Sequence, residues 1–166
     1  MAEPQQKRRL SIPRDFNSEE RQLLARRVIA FIQKRTDKGK GIDNESFPAY
    51  SKSYTESLDF EIAGKTKKVN LQQSGDTLAS IELLSHGVGF ITIGYEAGSF
   101  ENDKATWLKR SDNGVSRKFL GITDDDLNKL IKQIESMRRK ESEDNLRTRR
   151  LLNESIVQDI LKRLGI

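Results

Sequence analysis

Few residues of this chain are of types that do chemistry, and their spacing argues against a reaction centre. The 166 residues include one histidine, His86, and no cysteine. A nucleophile–base pair or a metal site needs partners at meaningful spacing. None accompanies His86, which falls in a predicted turn, Ser85-His86-Gly87, and reads as an ordinary turn residue. The run Asp124-Asp125-Asp126 could suggest divalent-metal ligands, but consecutive helical residues point in different directions. Following Thr123, the run reads instead as charge favoured at a helix start. Gly64-Lys65-Thr66 looks like the end of a phosphate-binding loop, yet the glycine such a loop requires would stand at position 59, which is Asp59. Gly87, Gly89, Gly94 and Gly98 lack the strand–loop–helix setting of a phosphate cradle. The expectation is therefore no catalytic residue, no metal, no cofactor and no enzyme activity.

Charge carries more information. The net charge is +5, and all of it lies in residues 1–35; the remainder is balanced. Lys7, Arg8 and Arg9 cluster where acids are few, so they are the candidates for phosphate contact. Arg147, Arg149 and Arg150, with Arg138, Arg139 and Lys140, form basic runs on a predicted helix. They read either as a solvated face balanced by Glu141, Glu143 and Asp144 or as a surface facing DNA or another subunit. There is no zinc-finger spacing and no RNA-binding aromatic motif. The longest apolar run, Val88 to Tyr95, is strand-sized, far short of a membrane span. The basic N-terminus has no apolar stretch after it, unlike a signal peptide. Synthesis in the cytoplasm is expected.

Residues 1–16 are predicted to be a basic arm, with Pro4 and Pro13 discouraging regular structure. Asn17 and Glu20 have the capping-box spacing. A helix follows with Leu23, Leu24, Arg27, Val28, Phe31 and Ile32 on one stripe, ending near Arg35 ahead of Gly39 and Gly41. Residues 36–57 read as loop or a short helical turn. Leu58, Phe60 and Ile62 alternate with acidic residues as a strand would, although Tyr54 to Phe60 would also tolerate a helical turn. Val69-Asn70-Leu71 is a possible strand and Ser74-Gly75-Asp76 a turn. Two strands, Thr77 to Leu84 and Val88 to Tyr95, are predicted around residues 85–87. Residues 97–116 read as a long surface loop with Trp107-Leu108 as its apolar island, a candidate interface. Thr123 caps a helix whose apolar face is Leu127, Leu130, Ile131, Ile134 and Met137. After the charged stretch 138–150, Leu152, Ile156, Ile160 and Leu164 recur every four residues. That helix either continues the previous one or folds back.

Three segments in order resemble a known family. Gly41 to Tyr54 is similar to the "Gly, then aromatic-Pro-x-Tyr/Leu-Ser-x-x-Tyr/Thr" stretch of phage virion-morphogenesis proteins, the head–tail joining (tail-completion or neck) family. Val69 to Ile81 resembles that family's "Val-Asn-Leu-x-x-Thr/Ser-Gly-x-Met/Leu-Leu-x-Ser-Ile". Arg117-Lys118-Phe119-Leu120-Gly121-Ile122 resembles its "Arg-x-Phe-Leu/Phe-Gly-Ile/Leu-Ser/Thr" before a closing helix. The resemblance covers roughly residues 18–137. The chain departs from the family by lacking the Ala-x-x-His-x-x-Gly stretch before the third segment, where it carries Trp107, and the Pro before Arg117, where Val115-Ser116 stand.

The resemblance implies an α+β fold: a long N-terminal helix packed on a small antiparallel sheet, with one or two C-terminal helices. The chain then divides into the arm 1–16, a ring-forming domain 17–137 and a charged helical extension 138–166; the arm and the helix after residue 140 have no firm counterpart in the family. The resemblance implies a structural ring of six or twelve subunits at the head–tail junction of the virion, around the DNA channel. Partners would be a tail terminator or tail tube and head-completion or connector proteins, with DNA touched only non-specifically and no membrane. Gly75, Leu78, Ile81, Arg117, Phe119, Leu120 and Gly121 then serve as fold markers. The competing reading is a small DNA-binding regulator using the basic arm and the Arg-rich C-terminal helices.

Overall fold

The computed structural model describes residues 5–62, 64, 69, 71, 76–110 and 116–164. Its elements run β1 (Lys7–Ser11), α1 (Ser18–Asp37), α2 (Lys52–Thr55), α3 (Leu58–Ile62), α4 (Asp76–Ala79), β2 (Glu82–Gly87), β3 (Phe90–Gly94), α5 (Phe100–Lys109) and α6 (Asp124–Leu164). The fold is mixed helix and sheet, with a three-stranded antiparallel sheet in the order β1-β3-β2. The expectation of an N-terminal helix as the long one needs correcting: α1 has 20 residues, whereas α6 at the C-terminal end has 41. The charged stretch 138–150 does not break α6, so the two predicted C-terminal segments are one helix. The chain divides into two compact units, Met1–Leu130 and Ile131–Ile166. The expected boundary at 137/138 lies inside the second.

The start of α1 follows from its caps. Asn17 Oδ1 accepts from Glu20 N at 2.9 Å, and Glu20 Oε2 accepts from Asn17 N at 2.8 Å. Two otherwise orphaned donors are satisfied at once. One stripe of α1 is buried: Leu24, Ala25, Val28, Ile32, Arg35 and Thr36. That stripe packs on β2 and β3, where Ile91 and Ile93 are fully buried on one face of the sheet. Each such aliphatic side chain contributes about 1.5–3 kcal/mol relative to exposure.

Four other expectations are overturned. Residues 7–11 are not a free arm: they form an edge strand paired from Lys7↔Gly94 to Ser11↔Phe90. Pro13 follows the strand rather than interrupting it, so it removes no ladder donor; Pro4 lies outside the described residues. Residues 58–62 are one helical turn, not a strand. A strand would align Leu58, Phe60 and Ile62 on one face; here Leu58 and Ile62 are exposed, while Phe60 packs against Tyr50 and Tyr54 at centroid distances of 5.7 and 5.5 Å. Leu71 has φ +57°, so no strand runs through it; Asn70, Ser74 and Gly75 lie outside the described residues. The hairpin is real, but β2 starts at Glu82 because Asp76–Ala79 is helical. Its turn is Val88-Gly89, not 85–87, and Gly89 supplies the φ of +81° that the turn needs. His86 is therefore a strand residue opposite Ile91.

The predicted loop 97–116 contains α5. Ser99 Oγ accepts from Asn102 N at 3.1 Å, and Glu101 and Asp103 lie in the first turn, where negative charge is favoured. Residues 111–115 lie outside the described residues. At the start of α6, Thr123 behaves as expected: its Oγ1 accepts from Asp126 N at 3.3 Å.

Candidate functional site: the motif junction and the exposed surfaces

The last turn of α1 brings the first and third motif segments together. Arg35 is 7% exposed. Its Nη2 donates to the Phe119 carbonyl at 2.7 Å and to the Gly121 carbonyl at 3.0 Å. Beside it, Ile42 N donates to the Lys118 carbonyl at 3.1 Å. Farther along, Arg117 Nη2 reaches the Pro48 carbonyl at 3.4 Å, and its guanidinium stands 5.6 Å from the Tyr50 ring centroid. Glycine is favoured at 121 by its φ of +157°, which L side chains rarely adopt; a Cβ there would also fall 2.9 Å from Ile42 Cδ1, the movable end of that side chain. Burial lowers the Arg35 pKa, opposed by the charges of Asp126 and Asp43. A guanidinium starts so high that it stays protonated, so the junction is a fixed cation holding carbonyls. It is built to bind two chain segments, not to move protons.

Several described residues of the second motif segment are interior as well, although Ala79 and Ser80 are exposed. Val69, Leu78 and Ile81 are buried, and Gln33 Nε2 donates to the Leu78 carbonyl at 2.8 Å. Next to Leu78, the Thr77 carbonyl accepts from Tyr95 Oη at 2.7 Å. Tyr95 is fully buried. Burial pushes its pKa well above the ordinary tyrosine range, and the negative charge of Glu101 adds to the shift. Asn102, also fully buried, accepts from Gln6 N at 2.6 Å. Among the motif markers, Phe119 and Gly121 are buried, Arg117 and Leu120 half-buried, and Gly75 lies outside the described residues. Arg35, Gln33, Tyr95 and Asn102 are the residues that sequence reasoning missed.

The candidate contact residues lie apart from this junction. Lys7, Arg8 and Arg9 are all exposed on β1. Strand alternation sends Lys7 and Arg9 to one face and Arg8, with Leu10, to the other. Arg9 is already engaged, its guanidinium 3.8 Å from the Phe90 ring centroid. On α5, Trp107 is 70% exposed and Phe100 67%. Lys104 stands between them at helical spacing, its Nζ 4.4 Å from the Phe100 centroid. Leu108 is half-buried, and its carbonyl accepts from Arg117 N at 2.8 Å. Arg147, Arg149 and Arg150 are exposed on α6. A shallow furrow along that helix is lined by Arg138, Glu141, Ser142, Asn145, Leu146 and Arg149. Its walls come from one helix alone, so it is not a cleft that could enclose a ligand.

The other residues singled out for chemistry are placed as follows. His86 is half-buried in β2. Asp126 accepts from Lys129 Nζ at 2.8 Å and from Thr123 Oγ1 at 3.1 Å; the Lys129 hydrogen bond, above all, keeps its pKa below the usual carboxylate value. Among the described residues no three His, Cys, Asp or Glu side chains are grouped to hold a metal ion, and no helix is long and apolar enough to cross a membrane. Lys65 and Thr66 lie outside the described residues. No family model, no curated protein and no solved structure matches the chain.

Proposed function

We propose that this protein is a non-enzymatic structural subunit of the neck, tail-completion or head–tail joining ring of a tailed bacteriophage. In this reading it belongs to the virion-morphogenesis family that its three motif segments resemble. The observation that carries the reading is the junction at Arg35. The first and third segments, more than sixty residues apart in sequence, meet through the Ile42–Lys118 and Arg117–Pro48 hydrogen bonds, beside Arg35, which ties the end of α1 to the third. Two of the three segments of the resemblance thus form one structural unit, which supports the reading.

The ring would contain six or twelve copies at the head–tail junction, assembled from subunits made in the host cytoplasm. A closed ring needs two different subunit faces, and exposed Trp107 and Phe100 on α5 supply the aromatic anchors that protein interfaces favour. A tail terminator or tail tube would lie on one side and head-completion or connector proteins on the other. Cations on β1 and α6 would give DNA a passage without sequence preference, since phosphate contacts carry no sequence information. The DNA-binding regulator is the weaker reading: Lys7, Arg8 and Arg9 sit in a paired strand with Arg9 on Phe90, not on an arm able to wrap a duplex.

Electron microscopy of the intact particle tests the reading. Density for this chain at the head–tail junction with six- or twelve-fold symmetry is the expected result. Absence of the chain from the particle, together with tight, steeply salt-dependent duplex binding by the purified protein, would overturn it.

A further inference from the structure

The second compact unit, Ile131–Ile166, contains the largest run of unpartnered apolar side chains. Residues 139–160 of α6 are all exposed. Leu146, Leu152, Ile156, Val157, Ile160 and Leu164 are each more than half exposed there. Helices in proteins owe most of their stability to packing of an apolar face, and among the described residues this stretch is exposed throughout.

The pattern identifies what would cover it. Positions 146, 150, 153, 157, 160 and 164 advance by four and three in alternation, the 3.5-residue period of a two-stranded seam. They hold Leu146, Arg150, Asn153, Val157, Ile160 and Leu164, with Ile156 and Leu161 on the two flanks. Leu146, Val157, Ile160 and Leu164 on the seam and Ile156 on its flank are each more than half exposed, the apolar centre that a two-stranded interface buries inside a polar rim. Flanking charges choose the orientation. In a parallel, in-register pair Arg149 faces Glu154 of the other copy, and Ile156 faces its Leu161. In an antiparallel pair Glu154 would face Glu154 and Arg149 would face Arg163.

We propose that the C-terminal half of α6 is a self-association element that pairs, parallel and in register, with the same segment of a second copy of this chain. Asn153, one of two polar seam residues, meets its own equivalent in the in-register pair and favours that register at some cost in stability. Arg150 beside its own equivalent weakens the pair. The inference does not rest on the ring reading, although cyclic symmetry would also hold equivalent helices parallel.

The test uses the full-length chain, whose lack of cysteine makes single thiols clean probes. Light scattering on a sizing column should show concentration-dependent association. The double variant V157E/I160E should raise the dissociation constant at least about tenfold, and Arg150→Leu should lower it by about as much. Under mild oxidation Asn153→Cys should yield a cross-linked dimer and Ser155→Cys, on the opposite side of the helix, should not. A wild-type chain that stays monomeric, an association untouched by V157E/I160E, or equal cross-linking at 153 and 155 would each overturn the pairing. Those outcomes are separable from the ring reading: the chain present at the head–tail junction but failing these tests removes only the pairing, whereas pairing by a chain absent from particles removes only the ring.

Discussion

Replacing Arg35 by methionine should be the most informative single perturbation of the fold. Methionine keeps most of the length and apolar stem but removes both hydrogen bonds, to the carbonyls of Phe119 and Gly121. Hydrogen bonds from a charged donor are each worth about 1.5–3 kcal/mol. Relief of the buried charge gives part of this back, because Arg35 Nε and Nη1 have no hydrogen-bond partner among the described residues. The expected net loss is about 3 kcal/mol, or roughly 6–12 °C in Tm for a chain of this size. Urea unfolding followed by far-UV circular dichroism measures it. Arg35→Lys should recover less than half: both bonds come from the one Nη2, and the more strongly hydrated lysine ammonium costs more to hold in that buried place. The loss should be equal at pH 6 and pH 9, since the guanidinium stays protonated despite its lowered pKa. A loss under about 1 kcal/mol, or full rescue by lysine, would refute the idea that this side chain ties the end of α1 to the third motif segment.

Three further outcomes are expected. Tyr95→Phe leaves the Thr77 carbonyl without its donor and should cost about 1–2 kcal/mol. The Tyr95 pKa is raised in the fold, so the unfolded chain loses its proton first; this contribution to stability is intact below pH ~10 and declines as pH rises beyond it. Urea midpoints at pH 8 and pH 11 should therefore show the alkaline loss reduced in Tyr95→Phe. Gly121→Ala should destabilise by about 1–3 kcal/mol, chiefly because its φ of +157° is one that L side chains rarely adopt. Ile42→Val, which removes only the Cδ1 contact, should restore little of the loss, as a double-mutant cycle would read. Trp107→Ala should change stability by no more than about 0.5 kcal/mol, as exposed positions do, while reducing incorporation of the chain into particles; unchanged incorporation would remove α5 from the interface.

The sequence was most legible where a local rule dominates. Asn17 with Glu20 and Thr123 before three aspartates announce their helices through backbone donors that only caps can satisfy, and no tertiary contact overrides them. In the strand pair around position 88, β3 is legible from its β-branched Ile91-Thr92-Ile93, whereas β2 carries no β-branched residue. The register of the pair is not legible, because Thr77-Leu78 is drawn into a helical turn by the Tyr95 hydroxyl and the Gln33 amide. The α5 helix was missed for a different reason: its buried residues are Asn102, Ala105 and Thr106, and no apolar period marks such a face. β1 was hidden by its charges, since an edge strand exposes Lys7, Arg8 and Arg9 and buries only Leu10 among its five residues. Arg35 was unreadable, because a buried arginine at a helix end has the same letters as one snorkelling to solvent.

These placements separate residues that maintain the fold from residues able to make contacts outside it. The motif residues Leu78, Ile81, Phe119 and Gly121 are buried, so Phe119→Ala would cost about 3–5 kcal/mol and abolish assembly by unfolding the subunit. Loss of function at such a position carries no information about an interface. Exposed Trp107 on α5, Lys7 on β1 and Val157 and Ile160 on α6 contribute little to the core and can be changed without that ambiguity. A functional test therefore belongs on these surfaces. There a variant that folds normally but fails to assemble assigns a contact, whereas the same failure at a motif residue assigns only a packing position.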